Sequence, residues 1–205
     1  MLENKVIVLT GGLGFIGGHL ANYFINKGAK VYILDKFDKD CPRHLYNYKV
    51  LKHKNYERNF IELDITNGRI YKNIANKLPS AIYYTIHLAA LTGVRSDIDS
   101  GLYFQTNVYG TKNTIKYLAL KSQHFINFSS SNIYGNCKAL KITENEKRIP
   151  INIYGYSKMF AEMACEKLFN DSIKSSNLKS ITTLRPFNIY GTNYKECMVV
   201  FHKYF

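Results

Sequence analysis

The chain has no tryptophan, and its 205 residues include only four cysteines and four prolines. Negative charge is scarce too: 15 acids face 28 bases, for a formal net charge of +13. Cys41, Cys137, Cys165 and Cys197 form no Cys-x-x-Cys pair and have no histidine at metal-ligand spacing. That argues against a disulfide framework and against a zinc site, and the expected metal set is none. The longest apolar stretch, Ala81 to Leu91, falls far short of the about 20 residues that a membrane span needs. Strand-like residues open the chain, so no signal peptide is expected. The expectation is a cytoplasmic protein with no membrane partner. Six of the bases are arginines and the rest are scattered lysines, with no basic run of five and no RNA-binding aromatic signature. This pattern reads as a solvated surface rather than a nucleic-acid groove. The excess still concentrates anionic ligands near the protein.

Apolar runs and amphipathic segments alternate along the whole length, which is enough for one core. Strands are expected at Lys5 to Thr10, Lys30 to Asp35, Asn59 to Leu63, Ile82 to Leu88, His124 to Ser129 and Ser180 to Arg185. Helices are expected at Gly14 to Asn26, Pro42 to Lys52, Thr66 to Lys77, Asp99 to Ser122, Ile153 to Asn170 and Lys195 to Phe205. Such order predicts an α/β fold, a doubly wound parallel sheet with helices on both faces. Ligands of such sheets sit at the carboxyl ends of strands, beside the topological switch point.

The first strand end is the most informative. Val6 to Thr10 runs into Gly11-Gly12-Leu13-Gly14-Phe15-Ile16-Gly17-Gly18 and then a helix. Both Gly12-x-Gly14-x-x-Gly17 and Gly11-x-x-Gly14-x-x-Gly17 fit a turn that carries backbone close to a pyrophosphate at a helix N-terminus. Asp35 closes the second strand, eighteen residues after Gly17. A carboxylate there accepts hydrogen bonds from ribose hydroxyls and repels a 2′-phosphate, favouring NAD over NADP, although the adjacent Lys36 softens that repulsion. Asp64, after the third strand, either meets the ligand or caps the next helix with Thr66. After the fourth strand, Ala89 and Ala90 let a cofactor pass closely, and His87 reads as a packed strand-end residue.

The fifth strand ends in Phe128-Ser129-Ser130-Ser131, and downstream Tyr154 and Lys158 lie one helical turn apart on one face. Serine, tyrosine and lysine together suggest proton transfer. A neighbouring ammonium and a positive nicotinamide both favour the phenolate and bring it toward working pH. Tyr-x-x-x-Lys occurs six times, starting at Tyr23, Tyr32, Tyr48, Tyr117, Tyr134 and Tyr154. Position selects Tyr154, which alone opens a helix after a serine-bearing strand.

These landmarks resemble the extended short-chain dehydrogenase/reductases of the NAD-dependent epimerase/dehydratase family across essentially the whole chain. They are Thr-Gly-Gly-x-Gly-Phe-Ile-Gly at 10–17, Asp35, Asp64-Ile-Thr, Leu88-Ala-Ala, Asn107-x-x-Gly-Thr-x-Asn113, the serines before Tyr134-Gly, Tyr154 to Lys158, and Leu184-Arg-Pro-Phe-Asn-Ile-Tyr-Gly191. The resemblance implies a Rossmann-like NAD-binding domain over 1–205, with about 186–205 starting a smaller C-terminal substrate domain that is largely missing. It assigns catalysis to Ser130, Tyr154 and Lys158. Cofactor binding falls to Gly11, Gly14, Phe15, Ile16, Gly17, Asp35, Asp64 (toward the adenine), Ile65, Leu88, Ala89, Ala90, Thr92, Tyr154 and Lys158. Substrate contacts fall to Arg95, Ser130 and Asn188, with a surface salt bridge the alternative for Arg95. Asn107 would brace the active-site region from behind.

Dehydratases of the family follow the catalytic hydroxyl residue with an Asp-Glu pair, where this chain has Ser131-Asn132. The resemblance therefore points to a nucleotide-sugar epimerase working through a 4-keto intermediate. It is nearest to UDP-glucuronate and other UDP-sugar 4-epimerases, although their Gly-Arg-Pro-Asp-Met segment is degraded here to Tyr194-Lys-Glu-Cys-Met198. A UDP-sugar is the expected partner, and a homodimer is possible. The alternatives are a 4,6-dehydratase or reductase of the same family, or an NAD-binding module without catalysis. Without the smaller domain, water exclusion would be incomplete and turnover weak.

Overall fold

The computed structural model describes residues 2–94, 97–172 and 177–191. Six parallel strands form one sheet: β1 (Val6–Thr10), β2 (Lys30–Asp35), β3 (Phe60–Glu62), β4 (Ile82–His87), β5 (Ser122–Phe128) and β6 (Ser180–Leu184). Their spatial order is β3-β2-β1-β4-β5-β6, so the chain reverses its direction of winding between β1 and β4. The expected doubly wound, Rossmann-like sheet is present. Strands buried on both faces need continuous apolar runs rather than alternation. β1 supplies one, with Ile7, Val8 and Leu9 fully buried.

Helices cover both faces. On one, α1 (Phe15–Asn26) and α2 (Pro42–His53) set Ala21, Phe24 and Leu51 against Ile7, Leu9, Val31 and Ile33. On the other, α3 (Gly68–Lys77) packs Tyr71 and Ile74 against Val8 and Leu34. Beside it, Ile115 of α5 (Gly110–Leu118), Ala119 just after it and Cys165 of α6 (Ile153–Ser172) enclose Phe125. No described helix is long and apolar enough to cross a membrane. Cys41, Cys137 and Cys165 are free thiols, and no metal-holding cluster occurs among the described residues.

The continuous helix expected from Asp99 to Ser122 is corrected. The structure has a short α4 (Ser100–Tyr103), a π-helical turn (Phe104–Tyr109), α5, and a 3-10 turn (Ala119–Lys121). The π turn turns Asn107 inward, where its amide is buried and bonded. At the far end the Ser122 hydroxyl donates to the Leu118 carbonyl at 2.8 Å, ending the helix and starting β5. The α3 start also shifts: Asn67 is its cap, accepting from the Ile70 amide at 3.1 Å, rather than Asp64 or Thr66. The helix expected at Lys195 to Phe205 lies outside the described residues.

Phe125 is fully buried at the centre of the β5, α5 and α6 layer. Phe125→Ala should remove about 3–5 kcal/mol of stability through lost contacts and a residual cavity. The effect is read as a fall in the urea midpoint, and an unchanged midpoint would mean that this layer does not hold the helix carrying Tyr154.

Candidate active site

The carboxyl ends of β1 and β4 meet at Gly11 and Ala89. Gly11 has φ +71°, and a β-carbon there would lie 2.6 Å from the Ala89 nitrogen, so only glycine lets the two backbones approach. The place of a β-carbon at Gly17 is filled by the backbone of Gly11 and Gly12, which seats α1 directly on the turn. α1 starts after Gly14 with no side-chain cap, so its positive end opens toward the carboxyl edge of the sheet. The turn is fastened from two sides. The Leu13 amide donates to Asp35 Oδ2 at 2.8 Å. The Asn47 amide, from α2, donates to the Leu13 and Gly14 carbonyls at 2.8 and 3.1 Å.

Burial pushes the Asp35 carboxyl up, against the hydrogen bonds from the Leu13 and Lys36 amides and the nearby His44. Asp64 is more open. Desolvation raises it, but the Thr66 hydroxyl and amide on Oδ1 and Lys36 on Oδ2 outweigh that and hold it below the usual carboxylate range. Lys36, expected to soften repulsion at Asp35, thus pairs with Asp64 at 3.3 Å. Phe15 and Ile16 open α1 half-buried, with the Phe15 ring edge-on to His19. Leu88, Ala89 and Ala90 line the edge half-buried, and Thr92 is exposed. Ile65 turns its side chain into the core against Gly110, leaving only its backbone near the edge. These features fit a dinucleotide: a close glycine turn, an uncapped helix start and a carboxylate at the second strand end.

Beside this cradle, Ser130 stands at the start of a 3-10 turn (Ser131–Tyr134), and Tyr154 and Lys158 lie on the first turns of α6. Ser130 Oγ accepts from both the backbone and side-chain nitrogens of Asn132 at 3.2 Å. The Ser130 hydroxyl favours the phenolate form of Tyr154. The structure therefore brings together the three residues selected from sequence. The lowering expected of Tyr154 includes a positive nicotinamide beside it; in the chain alone the balance runs the other way. Burial dominates and raises it, the Ser130 hydrogen bond opposes that, and Tyr103 adds to the rise. Lys158 is buried, donates to the Phe128 carbonyl at 2.6 Å, and is itself pulled down to about 8 by desolvation.

Other residues hold this frame. Asn107 accepts from the Leu91 amide at 2.8 Å, and its own amide donates to the Leu91 carbonyl at 3.0 Å and to Ser157 Oγ at 2.8 Å. It braces the loop after β4 against α6, as expected. His87 is buried between the Thr10 and Thr111 hydroxyls at 2.6 and 2.9 Å. Burial pulls it down to about 3, so it is neutral, a packed strand-end residue. Sequence reasoning missed Leu13, Asn47 and Tyr103. Tyr103 is fully buried, bonds the Gly93 carbonyl at 2.9 Å and sets its ring edge toward Tyr154. The only signal for Asn47 was the second glycine, Gly18, which leaves room for its amide. Asn188 is exposed beyond β6, and Arg95 lies outside the described residues.

The sequence profile of the NAD-dependent epimerase/dehydratase family matches residues 7–202. The chain belongs to this family. It is 32% identical over 190 residues to a UDP-glucose 4-epimerase of Haemophilus influenzae, covering 91% of this chain and 54% of that protein. It is also 35% identical over 202 residues to a dTDP-D-glucose 4,6-dehydratase of Dictyostelium discoideum, covering 90% of this chain and 44% of that one. The fold matches a crystal structure of UDP-glucuronic acid 4-epimerase from Bacillus cereus in complex with NAD, with TM-score 0.73 and 28% identity over 91% of this chain and 57% of that one. The chain thus spans about half the length of the curated relatives it matches. Epimerases and a dehydratase stand side by side among these family members, so the reaction has to be read from the site.

Lys158 also leaves a signature in stability. With its folded value pulled from 10.5 to about 8, the unfolded chain holds more protons between those limits. Its cost to folding is therefore fully present below pH 8 and vanishes as pH rises through 10.5. Lys158→Met should be more stable than wild type at pH 7, on the order of 1–2 kcal/mol. Urea unfolding should show that advantage shrinking up to pH 10.5, and a pH-independent difference would contradict a buried, desolvated ammonium.

Proposed function

We propose that the chain is the NAD-binding and catalytic part of a nucleotide-sugar epimerase that oxidises a UDP-sugar at C4 and re-reduces it from the opposite face. NAD, when bound, accepts the C4 hydride and returns it. Gly11, Gly14, Phe15, Ile16 and Gly17 would hold the pyrophosphate at the start of α1, and Asp35 the adenosine ribose. Asp64, the Ile65 backbone, Leu88, Ala89, Ala90 and Thr92 complete the cradle.

Tyr154 Oη takes the proton of the sugar C4 hydroxyl as the hydride leaves, and gives it back in the reverse step. Ser130 shares that proton through its hydrogen bond to the phenol, and Lys158 supplies positive charge along the same helix face. Tyr154 is held up by burial in the chain alone, so it becomes a base only when positive charge is brought beside it. The single observation carrying this reading is the meeting of the Ser130 turn with the start of α6, where Asn132 fills Ser130 Oγ, Asn152 bonds Asn132, and Lys158 bonds the Phe128 carbonyl two residues before Ser130.

That observation also bears on the dehydratase alternative raised by the Dictyostelium relative. Elimination needs an acid beside the hydroxyl residue. Ser131 and Asn132 occupy the places of the dehydratases' Asp-Glu pair, and neither is an acid; Asn132 has its amide on Ser130 and its Oδ1 accepting from Asn152 at 3.2 Å.

The extended segment from Pro186 would begin the substrate side, with Asn188 and Arg95 as contacts to the anionic part of the UDP-sugar. An exposed apolar stripe on α6, Tyr156, Phe160 and Met163, with Leu102 and Tyr109 beside it, supports a homodimer through this face. The free thiols suit the reducing cytoplasm.

Incubation with NAD and UDP-glucose, UDP-galactose or UDP-glucuronate, with products separated by chromatography, tests the reaction. Conversion between C4 epimers is expected, and Tyr154→Phe should lower it by at least about 100-fold while sparing NAD binding. Binding without conversion of any sugar would remove the epimerase reading, and unchanged turnover in Tyr154→Phe would remove Tyr154 from the chemistry.

A further inference from the structure

One turn after Lys158 on α6 lies Glu162, a carboxylate only 1% exposed that is gripped by two guanidiniums. Arg185, just beyond β6, donates from Nε to Oε1 at 3.0 Å and from Nη2 to Oε2 at 2.9 Å. Arg148 donates from Nη1 to Oε2 at 3.0 Å and to the exposed Glu166 at 2.7 Å. Two cations thus meet two anions, and the buried charge is balanced.

The remaining donors of Arg185 reach the turn that bears Ser130. Its Nη1 bonds the Tyr134 hydroxyl at 2.9 Å and the Glu144 carbonyl at 2.8 Å, and its guanidinium lies 5.4 Å from the centre of the Tyr134 ring. Tyr134 is buried and closes the 3-10 turn that opens after Ser130. A path of short polar contacts therefore runs from α6, through Glu162 and Arg185, to the far end of the Ser130 turn. A planar fork bound at both oxygens of a carboxylate fixes orientation as well as distance.

We propose that Glu162 is a positioning residue: through Arg185 and Tyr134 it holds the Ser130 turn in place against α6, the helix that carries both Tyr154 and Glu162. The proposal deepens the Ser130, Tyr154 and Lys158 reading and rests on it. Around the start of α6, Asn152 and Gly155 also touch the Ser130 turn, through Asn132, but they anchor its middle. Glu162 anchors its end. If Glu162 served α6 alone, loss of the Arg185 fork at constant charge would have no consequence at Tyr154.

The test uses the cofactor-free chain, so its outcome is independent of turnover. Tyrosine labelled with 13C at Cζ is titrated by NMR, with the Tyr154 signal assigned by its loss in Tyr154→Phe. The Ser130 hydrogen bond favours the phenolate, whereas burial and Tyr103 oppose it and Lys158 is committed to the Phe128 carbonyl. Arg185→Lys keeps the charge but loses the fork, so the Ser130 turn is released and the Tyr154 midpoint should rise by about half to one pH unit. Glu162→Gln releases the turn as well, but loss of its negative charge by itself favours the phenolate, so its midpoint should lie below that of Arg185→Lys. Tyr134→Phe, which removes only the hydroxyl that Arg185 bonds, should raise the midpoint too and serves as the test if Arg185→Lys fails to fold. A wild-type Tyr154 midpoint in folded Arg185→Lys or Tyr134→Phe would overturn the proposal. Absence of sugar conversion by the wild-type chain would instead count against the reaction and leave this readout standing.

Discussion

Everything at the candidate site depends on one close approach, that of Gly11 to the Ala89 backbone. Two neighbouring strands whose connections wind in opposite directions leave a crevice at their carboxyl ends. Its width is fixed here by a left-handed glycine at the end of β1 lying against the first residues after β4. Any side chain at residue 11 would push these backbones apart. Because α1 is seated on the same turn through Gly17, the approach also sets where the positive end of the helix stands. Leu13, Asn47 and Asp35 then lock the turn with hydrogen bonds from two further elements.

Beyond the crevice, buried polar side chains rather than apolar packing bring the reacting groups together. Asn107 ties the loop after β4 to α6, Asn132 links Ser130 to Asn152 just before α6, and Arg185 and Arg148 neutralise Glu162 inside the fold. Each would be costly if left unpaired. Each also links two chain segments distant in sequence, so small displacements of one segment are transmitted to the next.

Much of this was legible in the sequence because it is local. Continuous apolar runs gave the strands, the spacing of Gly11, Gly14 and Gly17 gave the turn, and the helix-opening position of Tyr154 separated it from five accidental Tyr-x-x-x-Lys matches. What escaped depends on partners far along the chain. Asn47 meets Leu13, Arg185 meets both Glu162 and Tyr134, and no spacing rule announces such pairings. The π turn at Phe104–Tyr109 was hidden for the same reason, since its register follows from where Asn107 bonds rather than from helix propensity. Burial, invisible in sequence, raises Tyr154 in the chain alone, whereas the lowering read from the motif includes a nicotinamide beside it.

Calorimetric titration of the full chain with NAD and, separately, with NADP tests the central claim, that the Gly11 crevice and Asp35 form a cradle for NAD. The account predicts one saturable site for NAD, with NADP weaker by at least about tenfold because its 2′-phosphate meets the Asp35 carboxylate. No binding of NAD, or equal binding of NADP, would contradict it.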